Sequence, residues 1–137
     1  MSQGKVFVDA SFLITRRDKR DERQTFAEAV AHDLFRRRLS LVSTSFVFAE
    51  VHAYFSRSRL VGQVVIRDFF ENPVLQYENP TIPDQHQALE ILKKNRDKSY
   101  SFCDAVSFVV MERLGLNRVV TFDRQFEQFG NFEIINR

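Results

Sequence analysis

Four short apolar runs, each followed by helix-length sequence, constrain this chain more than any other feature. KVFVD at 5–9, LSLVSTS at 39–45, VLQY at 74–77 and RVVTFD at 118–123 are too short to be buried helices. Asn72-Pro73 and Asn79-Pro80 flank the third, and all four read as strands. Between them the apolar spacing is helical. Residues 26–39 set Ala27, Val30, Ala31 and Leu34 on one face. FVFAEVHAYFSRS and LVGQVVIRDFFEN form a helix pair over 46–72, and a polar helix over 83–96 turns Ala88, Leu89 and Leu92 inward. A helix from Ser101 to Leu114 is apolar on nearly every side and stops at Gly115. NFEIIN at 131–136 completes the pattern as a short fifth strand. Strands alternating with helices predict an α/β fold: a three-layer α/β/α sandwich around a mainly parallel sheet of four or five strands. With no linker, repeat or low-complexity tract, residues 1–137 read as a single domain.

Composition narrows the function. An apolar fraction of 44% and a charged fraction of 28% suit a globular chain. No apolar run approaches the roughly 20 residues that span a bilayer, and MSQGKVFVDAS lacks the layout of a signal peptide. The single cysteine, Cys103, allows no internal disulfide, so a cytoplasmic location is expected. A net charge of +2 does not by itself announce a nucleic-acid binder. Arginine does cluster in RRDKRDER at 16–23 and RRR at 36–38. Each cluster reads first as a solvated helix face or loop, and second as a phosphate-contacting rim.

The acids carry the chemistry. Open α/β sheets bind ligands beyond the carboxyl ends of their strands, where the strand order reverses. Asp9 follows the first strand and Asp123 the fourth, while Asp104 lies in the first turn of the helix leading into the fourth. Glu50 lies just over a turn into the helix after the second strand, beside Phe46, Val47, Ala53 and Tyr54, so it reads as a carboxylate facing apolar surroundings. Ordinary explanations exist singly: Ser101 and Asp104 fit a capping box, Asp9 and Asp123 fit turns, and Glu50 could pair with an arginine. Their coincidence at one edge favours a shared role. Two carboxylates about 4 Å apart repel by ~4 kcal/mol at an effective dielectric near 20, so four together need a counterion or a proton. Oxygen-only ligands suit Mg²⁺, or Mn²⁺, better than softer metals. His32, His52 and His86 are scattered and pair with no cysteine, which argues against zinc.

Four segments, VFVDASFLI at 6–14, STSFVFAEV at 43–51, YSFCDAVSFVVMERLG at 100–115 and VVTFDRQF at 119–126, resemble the PIN-domain nucleases in order and spacing. The likeness is strongest to the small VapC-like toxins of toxin–antitoxin pairs. It implies a divalent-metal endoribonuclease in which Asp9, Glu50, Asp104 and Asp123 form the acidic quartet. Ser11 and Thr121 would be supporting hydroxyls beside it. It also implies an RNA substrate, a small antitoxin partner and a homodimer; Phe55, Leu60 and Phe69 are candidate contact residues, with core packing the equally good reading of the three. The non-enzymatic alternative is a catalytically silent PIN-fold module that binds RNA or protein.

Rival chemistries fit less well. An aspartyl phosphatase wants a second aspartate two residues after the first, and this chain reads Asp9-Ala10-Ser11. The four glycines form no P-loop. A receiver domain needs an aspartate after the third strand, where Tyr77-Glu78 stands.

Overall fold

The computed structural model describes residues 4–135. The first three residues of the amino-terminal segment and Asn136, the last residue assigned to the fifth strand, lie outside them. Five parallel strands form the sheet: β1 Lys5–Val8, β2 Ser40–Thr44, β3 Leu75–Glu78, β4 Arg118–Val120 and β5 Glu133–Ile135. Their order is β3-β2-β1-β4-β5. Registers such as Phe7 opposite both Val42 and Val119 align the strands' carboxyl ends on one edge. Val6, Phe7 and Val8 are fully buried because β1 is central and covered on both faces.

The chain winds outward from β1 in two directions. The connections β1 to β2 and β2 to β3 step one way across the sheet, and those to β4 and β5 step the other. Right-handed crossovers therefore divide the helices between the two faces. One face carries α1 Ala10–Arg17, α2 Gln24–Arg36, α3 Ser45–Tyr54 and α4 Arg59–Phe70. The other carries α5 Ile82–Lys94, α6 Phe102–Leu114 and α7 Gln125–Phe129. Packing agrees: α1 contacts α2 and α3, and α3 contacts α4, while α6 contacts α5 and α7. This is the expected three-layer sandwich. The strand order reverses between β1 and β4, which locates the crevice.

Local chemistry explains the boundaries. Asp9, Thr44, Ser58, Thr81 and Ser101 cap the starts of α1, α3, α4, α5 and α6 with side-chain oxygens. Gly115 ends α6 at φ 69°, a left-handed conformation in which glycine carries no Cβ penalty. From Ala105 to Met111 every residue of α6 is buried, so this helix fills the sheet's second face.

Several expectations need correction. Residues 10–17 form α1, which apolar spacing did not flag because the run merges into the charged segment. The fourth strand stops at Val120, leaving Thr121 to Asp123 in a loop free to reach across to β1. Leu89 is 44% exposed: α5 packs inward through Ala88, with Ile91 and Leu92 partly buried against the core. Phe55 and Phe69 belong to the core, and only Leu60, at 79% exposure, is open among the three proposed contact residues. Most of the arginine-rich segment is paired within the chain. Arg16 meets Glu28 at 3.0 Å, and Arg17 grips Asp68 through two bonds of 2.6 and 2.8 Å. Arg36 and Arg37 both contact Asp33.

Candidate active site

Asp9 is the centre of the reactive edge. It caps α1 and is 2% exposed, at the carboxyl end of the most buried strand. Its Oδ2 accepts bonds from the Ser11 hydroxyl and the Thr121 hydroxyl, both at 2.8 Å. Each hydroxyl has a second task. The Ser11 oxygen accepts the Phe122 N–H, and the Thr121 oxygen accepts the Asp123 N–H, both at 3.0 Å. Two hydroxyls thus join the Asp9 carboxylate to the loop that carries Asp123. The backbone supports the same junction, since the Asp9 N–H reaches the Val120 carbonyl at 3.1 Å.

Asp104 lies in the first turn of α6 and takes part in a complete capping box. The Ser101 N–H donates to Asp104 Oδ2 at 2.9 Å, and the Asp104 N–H donates to the Ser101 hydroxyl at 3.0 Å. The capping role and the site role therefore coexist: the cap fixes the rotamer that presents the carboxylate to the crevice. Glu50 departs from its expected setting. It is exposed, because α3 starts at the sheet's rim and faces the core through Val47 and Val51. Its charge nonetheless reaches Asp104, Asp123 and the Cys103 thiol.

Electrostatics bind the four acids into one unit. Burial holds the Asp9 carboxyl above its usual range despite the two hydroxyl donors. Asp104 is pushed up to about 6, first by burial and then by the charges of Asp9 and Glu50. Asp123 is likewise pushed up to about 6, by desolvation and by Asp9, Asp104 and Glu50. Asp123 is solvent-exposed, so water screens part of that repulsion. Burial and the neighbouring Glu50 also push the Cys103 thiol up, which keeps it protonated and unreactive.

Asp84 provides the contrast within the same molecule. It is equally buried, but Arg113 grips it through bonds of 2.9 to 3.1 Å. Burial alone would raise this carboxyl; the guanidinium and the Thr81 capping bonds overcome that and hold it below the usual range. Among the described residues the site acids have no comparable arginine partner. The Arg23 guanidinium reaches Asp123 with its charge, as the smallest of the influences on it.

The donors suit a hard divalent cation by type: carboxylate oxygens, unneutralised, at a strand-order reversal. As placed, no three His, Cys, Asp or Glu side chains among the described residues could hold an ion alone. Water would have to complete the shell, as is common for magnesium. His32 and His86 are exposed, and His52 packs against Phe48, with no role at this edge. A cavity of about 680 Å³ lies elsewhere, between α2 and the β2–β3 strands, and none of the four acids lines it. What residue spacing alone did not reveal is the Cys103 thiol beside Glu50 and the Arg23 guanidinium beside Asp123.

Comparison with known proteins agrees with this geometry. The PIN domain family matches residues 6–131. The 23S rRNA-specific endonuclease VapC20 of Mycobacterium tuberculosis is 30% identical over 134 residues, spanning 94% of this chain and 97% of its own. The crystal structure of M. tuberculosis VapC20, described as a Sarcin-Ricin loop cleaving toxin, superposes with a TM-score of 0.87 at 25% identity over 96% of this chain and 99% of that one. VapBC2 from Rickettsia felis, bound to a DNA fragment from their promoter, shares the fold with a TM-score of 0.68 at 14% identity over 97% and 98%. The chain belongs to the PIN-domain family, and its likeness to the VapC-like toxins runs the length of the fold.

Proposed function

We propose that this protein is an endoribonuclease that hydrolyses RNA phosphodiester bonds with Mg²⁺, or Mn²⁺, held by Asp9, Glu50, Asp104 and Asp123. One observation carries the reading: burial first, and then the charges of the neighbouring site acids, hold Asp104 and Asp123 well above the usual carboxylate range at the sheet's switch point, while a buried acid elsewhere, Asp84, has its own arginine. Family membership supports it, since the PIN domain is a nuclease fold and the 30% identical relative is named as an endonuclease.

When bound, the cation supplies charge neutralisation at the scissile phosphate and a water of lowered pKa. The protein's own residues supply placement. Ser11 and Thr121 hold Asp9 in one rotamer and tie the Asp123 loop to it. The Ser101 cap orients Asp104. Glu50, exposed on α3, suits contact through water. A covalent route has no support from Cys103, whose thiol is held neutral.

The biological reading is a toxin paired with a small antitoxin. Ribosomal RNA is the first substrate to test, given the name of the relative. An antitoxin or a second copy of the chain would cover the α3–α4 surface, where Tyr54, Leu60 and Phe70 stay exposed. Incubating the purified protein with ribosomal RNA and Mg²⁺ tests the activity. Cleavage abolished by EDTA and by Asp104→Asn supports the reading, and metal-independent cutting contradicts it.

A further inference from the structure

One group of side chains at the reactive edge is not used by the acids. Phe122 sits between Thr121, which holds Asp9, and Asp123. Its ring is the middle of a row running from the core to the surface: Phe12, 2% exposed, lies 5.9 Å away on one side, and Phe26, 42% exposed, lies 6.0 Å away on the other. The Arg23 guanidinium lies 5.0 Å above the Phe122 ring. It is not free to wander. Asp21 accepts from it at 3.2 and 3.3 Å, and Thr15 at 3.3 Å. Its side chain is nonetheless half exposed, and its charge reaches Asp123.

The chemistry of this group differs from that of the quartet. An exposed phenylalanine beside a guanidinium stacked on a second ring is a surface for a nucleobase and its phosphate. A phosphodiester approaching four carboxylates also needs a cation on its path, and Arg23, held by Asp21 and Thr15, is a guanidinium whose charge reaches Asp123. A duplex keeps its bases stacked inside and cannot offer one to Phe26, whereas an unpaired nucleotide can.

We propose that Phe26, Phe122 and Arg23 form a platform for an unpaired nucleotide of the RNA substrate, with its base on Phe26 and its phosphate facing Arg23 next to Asp123. This rests on the ribonuclease reading and adds what that reading lacks: the side chains that would hold a base and a phosphate beside the acids. Phe26 and Arg23 are binding residues here, and the acids do the chemistry.

Two measurements test it separately from the activity. In the first, single-stranded RNA carrying 2-aminopurine is titrated onto the wild-type protein without divalent metal, so that nothing is cut. Fluorescence quenching that weakens about tenfold in affinity in Phe26→Leu, and recovers in Phe26→Tyr, supports the platform. Arg23→Gln should lower the slope of log K against log salt by about 0.7, the effect of one phosphate contact on a single strand. Absence of quenching in the wild type, or equal quenching in Phe26→Leu, overturns it. In the second, an RNA hairpin whose loop the wild type cuts is compared with the same RNA closed into a full duplex. Loop-only cutting, with KM raised about tenfold in Phe26→Leu and kcat within about twofold, is expected. Equal cutting of the duplex overturns the platform while leaving the ribonuclease reading intact. Absence of any cutting, with quenching preserved, overturns the ribonuclease reading instead. Melting curves of both variants exclude misfolding as the cause, and Phe26→Tyr rescue separates stacking from packing.

Discussion

Thr121 and Asp9 stand 112 residues apart in sequence, and the threonine hydroxyl donates to the buried carboxylate at 2.8 Å. The same oxygen accepts the N–H of Asp123 at 3.0 Å. One side chain therefore connects two acids at the ends of two central strands.

Replacing Thr121 with valine keeps the shape and removes both bonds. Asp9 would lose one of its two hydroxyl donors and the Asp123 loop its anchor. Outer-shell partners of this kind cost about 10–100-fold in metal affinity or activity. The expected result for Thr121→Val is a loss in that range with a stability cost of about 1–3 kcal/mol. Cleavage rates and denaturant titrations would measure them, and wild-type activity would show that the hydroxyl is not needed.

The Asp84–Arg113 pair makes the opposite prediction. Arg113→Met leaves a buried carboxylate without its guanidinium. Because Arg113 is itself 38% exposed, the cost should fall near about 2 kcal/mol, below the value for a fully buried pair. Activity per folded molecule should not change, because neither residue lies at the reactive edge. Paired denaturation and cleavage assays would separate the two effects.

The raised acids make metal-free stability depend on pH in a definite direction. Asp104 and Asp123 bind protons up to about pH 6 when folded, against an ordinary carboxylate value of 3.8. The folded state therefore holds more protons than the unfolded one between those limits, and stability falls as pH rises through that window. The depressed acids Asp18 and Asp84 act lower, losing their contribution as pH falls below the ordinary carboxylate range. In EDTA, Asp123→Asn should flatten the decline between about pH 4 and 6, with a melting temperature above wild type at neutral pH. Identical pH profiles would show that repulsion at the site is too screened to matter.

Cys103→Ser isolates the thiol. Serine keeps a small polar group near Glu50, so activity should fall by less than the roughly 10–100-fold that losing an outer-shell partner costs. Loss of activity as complete as that expected for Asp104→Asn would instead implicate the sulfur directly.

Much of this architecture was legible in the chain. Short strands, the third bounded by Asn-Pro on both sides, and the Ser101-x-x-Asp104 box specify local structure through backbone chemistry that neighbours do not override. Asp9 directly follows an apolar strand, as its sequence setting suggests, whereas Asp123 lies three residues past the end of β4, in the loop that Thr121 anchors. Helix α1 was hidden, since its apolar residues are few and its end is charged. The setting of Glu50 was misjudged for a related reason: spacing shows which residues share a helix face, but not whether that face meets the core or the rim. Leu89 failed in the same way. The arginines of 16–23 could not be sorted from sequence, because their partners Glu28 and Asp68 come from other helices.

The most direct test is Mg²⁺ titration by calorimetry on wild type and Asp104→Asn, run beside RNA cleavage at the same metal concentrations. The account predicts that wild type binds Mg²⁺, that cleavage rises with occupancy, and that the variant loses both while melting as a folded protein. Undiminished cleavage by the variant, or cleavage by wild type with no metal bound, would contradict it.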